Sequence, residues 1–452
     1  MLRPIAVVLA ALVLLAGCAT RPVNPPIDRV AADHGYRFQT RQAADRDPST
    51  LVVVAFSGGG TRAAAFAYGV LEALRDTRIG GAGPRSRRLL DQVDIVTGVS
   101  GGSFTALAYG LYGERLFDEF EARFLKRDVQ GELLRRVASP WHWPALASTG
   151  YGRSEIAAQL YDEWLFGGAT FGDLARASGP LVIASATDIS TGARLSFLQT
   201  DFDLICSDLS AVRLSRAAAA SSAVPLILSP VTLNNYGGRC GLRTPSWVSA
   251  LDEPANRARP AGRSAQRWRD MQSFQRSAAR PFVHLVDGGV SDNLGLRAVL
   301  EALEQLELAK SAGRATRLDA VRRIAFVVVN SLSQPATTWD EREDPPNDIE
   351  IMVKAAGVPI DRHSFDAVEL LRDMVARWSA GRRLATGVPD IELYAIDVSF
   401  AALDDEAERT FLNEQPTSFV LTAEAVDRLR AAARRIVSDS PEFRRLLRDL
   451  DG

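Results

Sequence analysis

The sequence predicts an α/β fold in which helices cover a mainly parallel β-sheet. Continuous apolar segments of strand length recur along the chain, as in central strands that are buried on both faces. Helical segments separate them, and a glycine-rich turn follows three of the strands. The segments that predict strands are residues 51–56, 93–97, 181–187, 194–198, 281–286, 324–330 and 391–398. The longer segments that predict helices are residues 63–75, 111–138, 213–220, 293–308 and 422–450.

The composition is that of a globular protein and excludes two classes of site. The chain has 452 residues, of which 46% are hydrophobic and 24% are charged, and its formal net charge is −2. This near-neutral balance gives no reason to expect a nucleic-acid partner. No two of the four His and three Cys residues have the spacing of metal ligands, so we expect no structural metal site.

Residues 1–17 predict a bacterial lipoprotein signal peptide. Arg3 supplies the positive charge, and residues 5–16 form an apolar segment too short to span a membrane. The sequence Leu-Ala-Gly-Cys that ends at Cys18 resembles a lipobox, in which the Cys is acylated. Residue 19 is Ala rather than Asp, and by the same resemblance this favours the outer membrane. An ordinary signal peptide or a short anchor remains the alternative to a protein that is lipidated at Cys18 and faces the periplasm.

The rest of the chain divides into three parts. Residues 18–50 are rich in Pro, Arg and Asp and predict a tether with irregular structure. Residues 51–400 form one domain, with the motifs in 51–330, and residues 401–452 form a helical C-terminal segment. Within the domain, residues 242–280 are an Arg-rich insertion. We favour a solvated insertion over the alternative, a cap that meets anionic lipid headgroups.

Two smaller features each leave two interpretations open. Cys206 and Cys240 are an even pair that forms either a disulfide or two buried small residues. An aromatic cluster at residues 141–146 forms either the wall of an apolar pocket or, as is commoner for such residues, part of the core.

Residues 98–102, Gly-Val-Ser-Gly-Gly, match the G-x-S-x-G pattern of a nucleophile elbow. The pattern lies between a predicted strand and a helix, where a sharp turn exposes the hydroxyl of Ser100. Side chains at Gly98 and Gly102 would collide with neighbouring backbone in such a turn. An ordinary Gly/Ser turn is the alternative for this motif taken alone.

A second glycine-rich turn at residues 58–60 predicts an anion-binding loop. Three glycines between a strand and a helix leave backbone N–H groups free to converge on an anion, with Arg62 close by. The same residues formally match a dinucleotide-binding fingerprint. That site needs a second strand ending in an acidic residue about twenty positions later, where this chain has Gly and Pro. We therefore favour an oxyanion hole.

Asp287 follows the apolar strand at residues 281–286 and precedes Gly288 and Gly289. Because the carboxyl ends of parallel strands meet at one edge of a sheet, we expect Asp287 beside Ser100 and the glycine loop. A Ser-Asp-His triad would have to use His363, which lies at the start of a helix rather than after a strand. A dyad in which Asp287 activates Ser100 directly is the simpler hypothesis.

Four motifs, in this order, resemble those of the patatin-like phospholipase family. They are residues 58–62 (GGGTR), 98–102 (GVSGG), 220–225 (ASSAVP) and 287–289 (DGG), within residues 51–330. The resemblance implies a three-layer α/β/α sandwich, with Ser100 as nucleophile and Asp287 as general base. It assigns the oxyanion hole to Gly58, Gly59, Gly60 and Arg62. Ser57 stands where many members carry Asp.

The resemblance also implies the chemistry of the protein. We expect a membrane-tethered lipid acyl hydrolase of the phospholipase A type, which acts on membrane lipids through an acyl-enzyme, without a metal or organic cofactor. One alternative is an esterase or thioesterase that acts on small soluble acyl compounds. Another is a lipid-binding protein of the envelope that has no catalytic activity.

Overall fold

The structure is a computed structural model, and it describes residues 20–41, 46–80, 86–251, 262–311, 313–315, 319–333, 339–341, 343–383 and 391–451. The predicted signal peptide and Cys18 lie outside these residues, as does the middle of the Arg-rich insertion. Within these ranges, no helix is both long and apolar enough to cross a membrane.

A mixed sheet with mainly parallel strands forms the centre of the fold. The strands are β1 (Thr50–Phe56), β2 (Arg78–Ile79), β3 (Arg87–Arg88), β4 (Val93–Val99), β5 (Leu181–Asp188), β6 (Arg194–Ser196), β7 (Val231–Asn234), β8 (Phe282–Asp287), β9 (Arg323–Asn330) and β10 (Glu392–Ser399). The sheet has the order β10-β9-β1-β4-β5-β8-β7, β6 also pairs with β5, and β2 and β3 form a separate hairpin. Strands β10, β9, β1, β4 and β5 are parallel, whereas β6 and β8 run antiparallel to β5.

Helices follow most of the strands. They are α1 (Gly60–Asp76), α2 (Gly101–Tyr112), α3 (Leu116–Phe120), α4 (Val129–Ala138), α5 (Trp143–Leu146), α6 (Arg153–Tyr161), α7 (Phe171–Arg176), α8 (Gln199–Phe202), α9 (Leu214–Ser221), α10 (Ser246–Ala250), α11 (Gly262–Phe274), α12 (Gly289–Asp292), α13 (Arg297–Ser311), α14 (Asp348–Arg383), α15 (Glu406–Asn413), α16 (Ala423–Asp439) and α17 (Pro441–Asp451).

The sheet lies between two helical layers, as the alternation of side chains along β1 shows. Val52, Val54 and Phe56 belong to a core that includes α1, α2 and α16. Val53 and Ala55 point to the other face, into a second core with α13 and α14. A strand buried on both faces is continuously apolar, which is the pattern that its sequence predicts. The observed layers match the predicted three-layer α/β/α architecture.

Two of the predicted helices are interrupted at glycines. Within the helix predicted for residues 111–138, α2 ends at Tyr112, because Gly113 has a φ of 54° and turns the chain out of the helix, and helical structure resumes in α3 and α4. The helix predicted for residues 293–308 starts only at Arg297, after Gly295 with a φ of 65°. Apolar residues keep the spacing of a helix across both glycines, so the sequence does not reveal these breaks.

The second half of the Arg-rich insertion is built into the fold. Helix α11 carries Arg267, which is buried and donates hydrogen bonds to Asp201 Oδ1 at 2.6 Å and to the Arg194 carbonyl at 2.9 Å. Arg263 pairs with Glu304 at 3.1 Å. The favoured expectation of a solvated insertion is therefore wrong for this helix, because its arginines neutralise buried carboxylates.

A disulfide joins Cys206 to Cys240 across 34 residues, with their Cα atoms 5.6 Å apart. It links the turn after α8 to the segment after β7. Of the two interpretations that the sequence left open, the structure has the disulfide.

Candidate active site

Ser100 stands at the sharp turn between β4 and α2. Its φ of 49° and ψ of −121° lie in a region that residues other than glycine seldom adopt. Close backbone packing surrounds the turn: a Cβ on Gly98 would lie 2.7 Å from the Gly102 carbonyl oxygen, and one on Gly102 would lie 2.6 Å from that of Ser57. Both positions therefore require glycine, as the elbow motif predicts.

The Ser100 hydroxyl donates a hydrogen bond of 2.7 Å to Asp287 Oδ2, and both side chains are buried. The two residues come from strands on opposite sides of β5. Val99 of β4 pairs with Ser185 of β5, and Asp287 of β8 pairs with the next residue, Ala186. The registers of β4 and β8 along β5 thus bring the hydroxyl and the carboxylate together.

The sequence placed Asp287 correctly beside Ser100 but for a reason that is wrong. It was expected at the carboxyl end of a parallel strand, whereas β8 runs antiparallel to β5. The pair forms because β5 continues to Asp188, beyond the residues that pair with β4. Strand β8 pairs with this extension and ends at the level of Ser100.

Burial raises the pKa of Asp287 from an ordinary 3.8 to about 6, against the opposing effects of hydrogen bonds from Ser100 and Gly289. The Gly289 N–H donates to Oδ1 at 2.7 Å, so the backbone fixes one oxygen while Ser100 contacts the other. A Cβ on Gly288 would overlap the Ser185 carbonyl oxygen, which keeps this turn tight. The result is a fixed carboxylate that is more basic than one in water.

The glycine loop at residues 58–60 lies against the elbow, but only part of it has free donors. The Gly58 N–H already donates to the Asn293 carbonyl at 2.9 Å. A Cβ on Gly58 would lie 3.1 Å from the Ser100 Cβ. Gly58 is thus needed for close packing on Ser100, and its assignment as an oxyanion donor is corrected.

Gly59 and Gly60 keep the donor capacity that the sequence predicts. No acceptor in the described part of the chain takes their amide hydrogens, nor that of Gly101, the residue after Ser100. Gly60 has a φ of 60°, and a Cβ on Gly101 would lie 2.7 Å from the Gly60 nitrogen. The start of α1 and the start of α2 therefore meet beside the hydroxyl, and both helix N-termini favour negative charge there.

Arg62 is buried and turned toward a segment close to the C-terminus. Its guanidinium donates to the Ser331 carbonyl at 2.8 Å, the Gln415 carbonyl at 2.6 Å and Thr417 Oγ1 at 3.0 Å. Burial lowers its pKa to about 10, and Asp361 opposes this shift. Arg62 thus contributes a buried positive charge whose contacts join two loops.

The segment that Arg62 contacts, residues 415–419, is here named the C-terminal strap. The Thr61 N–H donates to the Ser418 carbonyl at 2.8 Å, and a Cβ on Gly60 would overlap the same oxygen. At the other end of the strap, the Phe419 ring lies 5.5 Å from that of Phe104 in α2. The strap therefore contacts both the glycine loop and the helix that follows Ser100.

His363 does not contact the Ser100–Asp287 pair. It lies exposed on α14, and its neighbour Ser364 accepts a hydrogen bond of 3.3 Å from the Asn293 side chain. Among the residues described, no group of three or more His, Cys, Asp or Glu side chains is arranged to hold a metal ion.

The comparison with known families agrees with these motifs. The patatin-like phospholipase model matches residues 54–300, which is more than half of the chain. The chain belongs to the patatin-like phospholipase family. No curated protein is significantly similar to it in sequence.

Solved structures similar to this patatin-like chain include two of one human phospholipase. Human GIVD cytosolic phospholipase A2 has a TM-score of 0.41 and 14% identity, over 91% of this chain and 64% of that one. Its complex with methyl gamma-linolenyl fluorophosphonate and terbium chloride has a TM-score of 0.43 and 12% identity, over 96% and 66%. VipD from Legionella pneumophila has a TM-score of 0.30 and 10% identity, over 96% and 73%. The patatin-like chain spans less than two thirds of the two human chains.

Sequence reasoning missed three parts of this patatin-like site. Ser221, within the third motif, contacts the elbow: its hydroxyl accepts from the Ser100 N–H at 2.9 Å and donates to the Ser185 carbonyl at 2.7 Å. Gly101 presents a free amide and could have been found from its place after the nucleophile. The C-terminal strap lies beyond the matched residues and carries no motif.

Proposed function

We propose that this protein is a serine lipid acyl hydrolase of the phospholipase A type, which acts through a Ser100–Asp287 dyad. The observation that supports this most directly is the 2.7 Å hydrogen bond from the Ser100 hydroxyl to a buried carboxylate of raised basicity. Family membership supports a lipid ester as the substrate.

The reaction proceeds in two halves. Asp287 takes the proton of the Ser100 hydroxyl as Oγ bonds to the ester carbonyl carbon, and the carbonyl oxygen becomes an oxyanion. The amides of Gly59, Gly60 and Gly101 stabilise that oxyanion. As the intermediate collapses, the ester C–O bond breaks and the departing alcohol takes the proton from Asp287. Water then attacks the acyl-enzyme with Asp287 as base, and the fatty acid leaves as Ser100 regains its proton.

Arg62 serves the glycine loop in two ways in this proposal. Its three hydrogen bonds hold the loop after β1 against Ser331 and the C-terminal strap. A Cβ on Gly59 would lie 3.0 Å from Arg62 Nη2, so the positive charge is close to the loop. A buried cation at this place favours a developing oxyanion.

The protein acts on a membrane to which it is tethered. Acyl chains on Cys18 would anchor it, each contributing about 0.8 kcal/mol per buried CH₂, and Ala19 favours the outer membrane facing the periplasm. The Cys206–Cys240 disulfide supports export, because disulfides persist in oxidising compartments.

The first test compares wild type with Ser100→Ala, both expressed from Ala19 so that the described fold is kept without the anchor. Fatty-acid release is followed from phospholipid vesicles and from a soluble short-chain ester. Loss of the nucleophile should lower the rate on the order of 10³-fold or more. Equal rates for wild type and Ser100→Ala would contradict the proposal.

The pattern of activity separates the alternatives. Release from the soluble ester alone would identify an esterase or thioesterase of small acyl compounds. Vesicle binding with no release of fatty acid from either substrate would identify a lipid-binding protein. His363→Ala serves as a control for the dyad, because this exposed side chain does not contact Asp287 and its loss should leave turnover unchanged.

A further inference from the structure

Large apolar side chains are exposed at residues 141–143, at residues 226–227 and at the start of β8. Trp141 is 88% exposed, Trp143 58%, Leu226 58%, Ile227 63% and Phe282 46%. The core packing that the sequence favoured for the two tryptophans is therefore wrong. Single exposed apolar residues are common on soluble proteins, but a cluster of them marks a contact surface. These five residues are here named the apolar rim.

Contacts through two arginines show that the segments of the rim are neighbours. The Arg21 guanidinium lies 5.5 Å from the centre of the Phe282 ring. A Cβ on Gly150 would lie 2.9 Å from Arg21 Cδ, which brings in the segment between α4 and α6 that carries both tryptophans. Arg153, at the start of α6, donates to the Leu226 carbonyl at 3.1 Å. The rim therefore consists of adjoining segments rather than scattered side chains.

The rim adjoins the site through the segment that carries Leu226. The Asp287 N–H donates to the Ala223 carbonyl at 2.9 Å, and Leu226 follows three residues later. Leu226 has a φ of 73°, a left-handed conformation that leucine seldom adopts. An exposed apolar side chain on strained backbone contributes little to the stability of the fold. Such strain is concentrated at functional sites.

Two arginines contact the rim directly. Arg21 lies over the Phe282 ring, and Arg153 donates to the Leu226 carbonyl. The segments that carry the tryptophans and Phe282, residues 134–154 and 271–286, contain neither Asp nor Glu. Arginine beside exposed tryptophan is the combination that binds an anionic lipid surface, because the cation attracts phosphate and the indole ring enters the interface.

We propose that the apolar rim docks this protein on an anionic phospholipid bilayer and so directs its active site to the lipid. The inference rests on the proposed function, because it names the surface through which that site meets its substrate. Arg21 packs on the rim and stands only three residues after Cys18. An acylated Cys18 would therefore hold the rim against the same membrane.

The test measures binding apart from catalysis. The chain expressed from Ala19 is sedimented with vesicles of phosphatidylglycerol or of phosphatidylcholine. The rim variants are Trp141→Gln and Leu226→Asn, since asparagine tolerates a left-handed backbone. The matched control is Phe365→Gln, because Phe365 is 64% exposed on α14, which packs on the opposite face of the sheet from α6 and the rim segments beside it.

Wild type and the Phe365 variant should bind phosphatidylglycerol equally and should bind phosphatidylcholine more weakly. Each rim variant should lose about tenfold in affinity for phosphatidylglycerol, and its ratio of vesicle to soluble-ester hydrolysis should fall with it. Rim variants that bind like wild type, or a Phe365 variant that loses as much, would overturn the proposal. A rim-dependent dimer would likewise assign the surface to a second copy.

Failure of the two proposals can be told apart. If wild type and Ser100→Ala hydrolyse neither substrate but the rim variants lose vesicle binding, the docking surface stands and the hydrolase does not. If Ser100-dependent hydrolysis occurs and the rim variants bind normally, the hydrolase stands and the docking surface does not.

Discussion

Ser221 joins Ser100 to the neighbouring strand from a position 121 residues further along the chain. Its hydroxyl accepts the Ser100 N–H at 2.9 Å and donates to the Ser185 carbonyl of β5 at 2.7 Å. One side chain thus satisfies two buried backbone groups and fixes the strained turn relative to the sheet. The same helix end positions the acid, because the Gly288 N–H donates to the Ser221 carbonyl at 3.0 Å.

Replacing Ser221 with Ala should therefore impair both stability and turnover. Two buried backbone groups lose their partner, at about 1–3 kcal/mol for each. A looser elbow misplaces Ser100 Oγ, so kcat should fall about ten- to hundredfold with little change in KM. The matched control is Ser222→Ala, because this buried hydroxyl donates to the Ala218 carbonyl of α9 rather than to the elbow or to β5. Equal effects of the two substitutions in steady-state kinetics would contradict the prediction.

Replacing Asp287 with Asn should stabilise the fold while it abolishes activity. The folded state holds the Asp287 proton more tightly than the unfolded state, since the pKa is about 6 instead of 3.8. The ionised carboxylate therefore costs stability, and this cost grows from about pH 4 to about pH 6 and stays at higher pH. Two pKa units correspond to about 3 kcal/mol.

Urea unfolding at pH 4 and pH 8 checks this expectation. The Asn variant should be more stable than wild type at pH 8, and the difference should vanish towards pH 4. Asp28→Asn, at an exposed carboxylate, is the control and should change stability little at either pH. A variant that is less stable than wild type at pH 8 would show that the carboxylate is stabilising there.

The raised pKa of Asp287 also predicts how the rate of hydrolysis falls at low pH. Because protonated Asp287 cannot accept the Ser100 proton, kcat/KM for a soluble ester should fall about tenfold per pH unit below about pH 6. The profile is measured from pH 4.5 to 9 for wild type and His363→Ala. An inflection that shifts or disappears in the His363 variant would restore the triad.

Arg62→Lys tests whether the glycine loop needs the fork of hydrogen bonds or only the charge. A lysine keeps the cation but cannot reach three separate acceptors in Ser331, Gln415 and Thr417. We expect kcat to fall about ten- to hundredfold, close to the loss in Arg62→Met. Arg75→Lys, on the same helix, is the control. A Lys variant with near wild-type turnover would mean that charge alone suffices.

The sequence predicts the site better than it predicts how the site is assembled. Ser100, Gly59, Gly60 and Asp287 could be found because each needs a particular residue type at a sharp turn. The direction of β8 could not, because a short apolar strand has the same composition whether it runs parallel or antiparallel. The breaks at Gly113 and Gly295 were hidden for a similar reason, since the helical period continues across them.

The contacts of the C-terminal strap leave no trace in the sequence. The strap binds Thr61 and Arg62 chiefly through the carbonyl oxygens of Gln415 and Ser418, which every residue type possesses. The exposure of Trp141 was missed for the opposite reason, because large aromatic residues are usually buried and no local pattern marks the exceptions.

The strap also has a consequence for the order of events during synthesis. Residues 58–60 leave the ribosome early, but their neighbours at residues 415–419 follow more than 350 positions later. A nascent chain therefore carries the nucleophile and the acid long before the loop beside them can take its final shape. We therefore expect that the matched segment 54–300 does not form the complete site by itself, and that removal of the last forty residues would disturb the glycine loop.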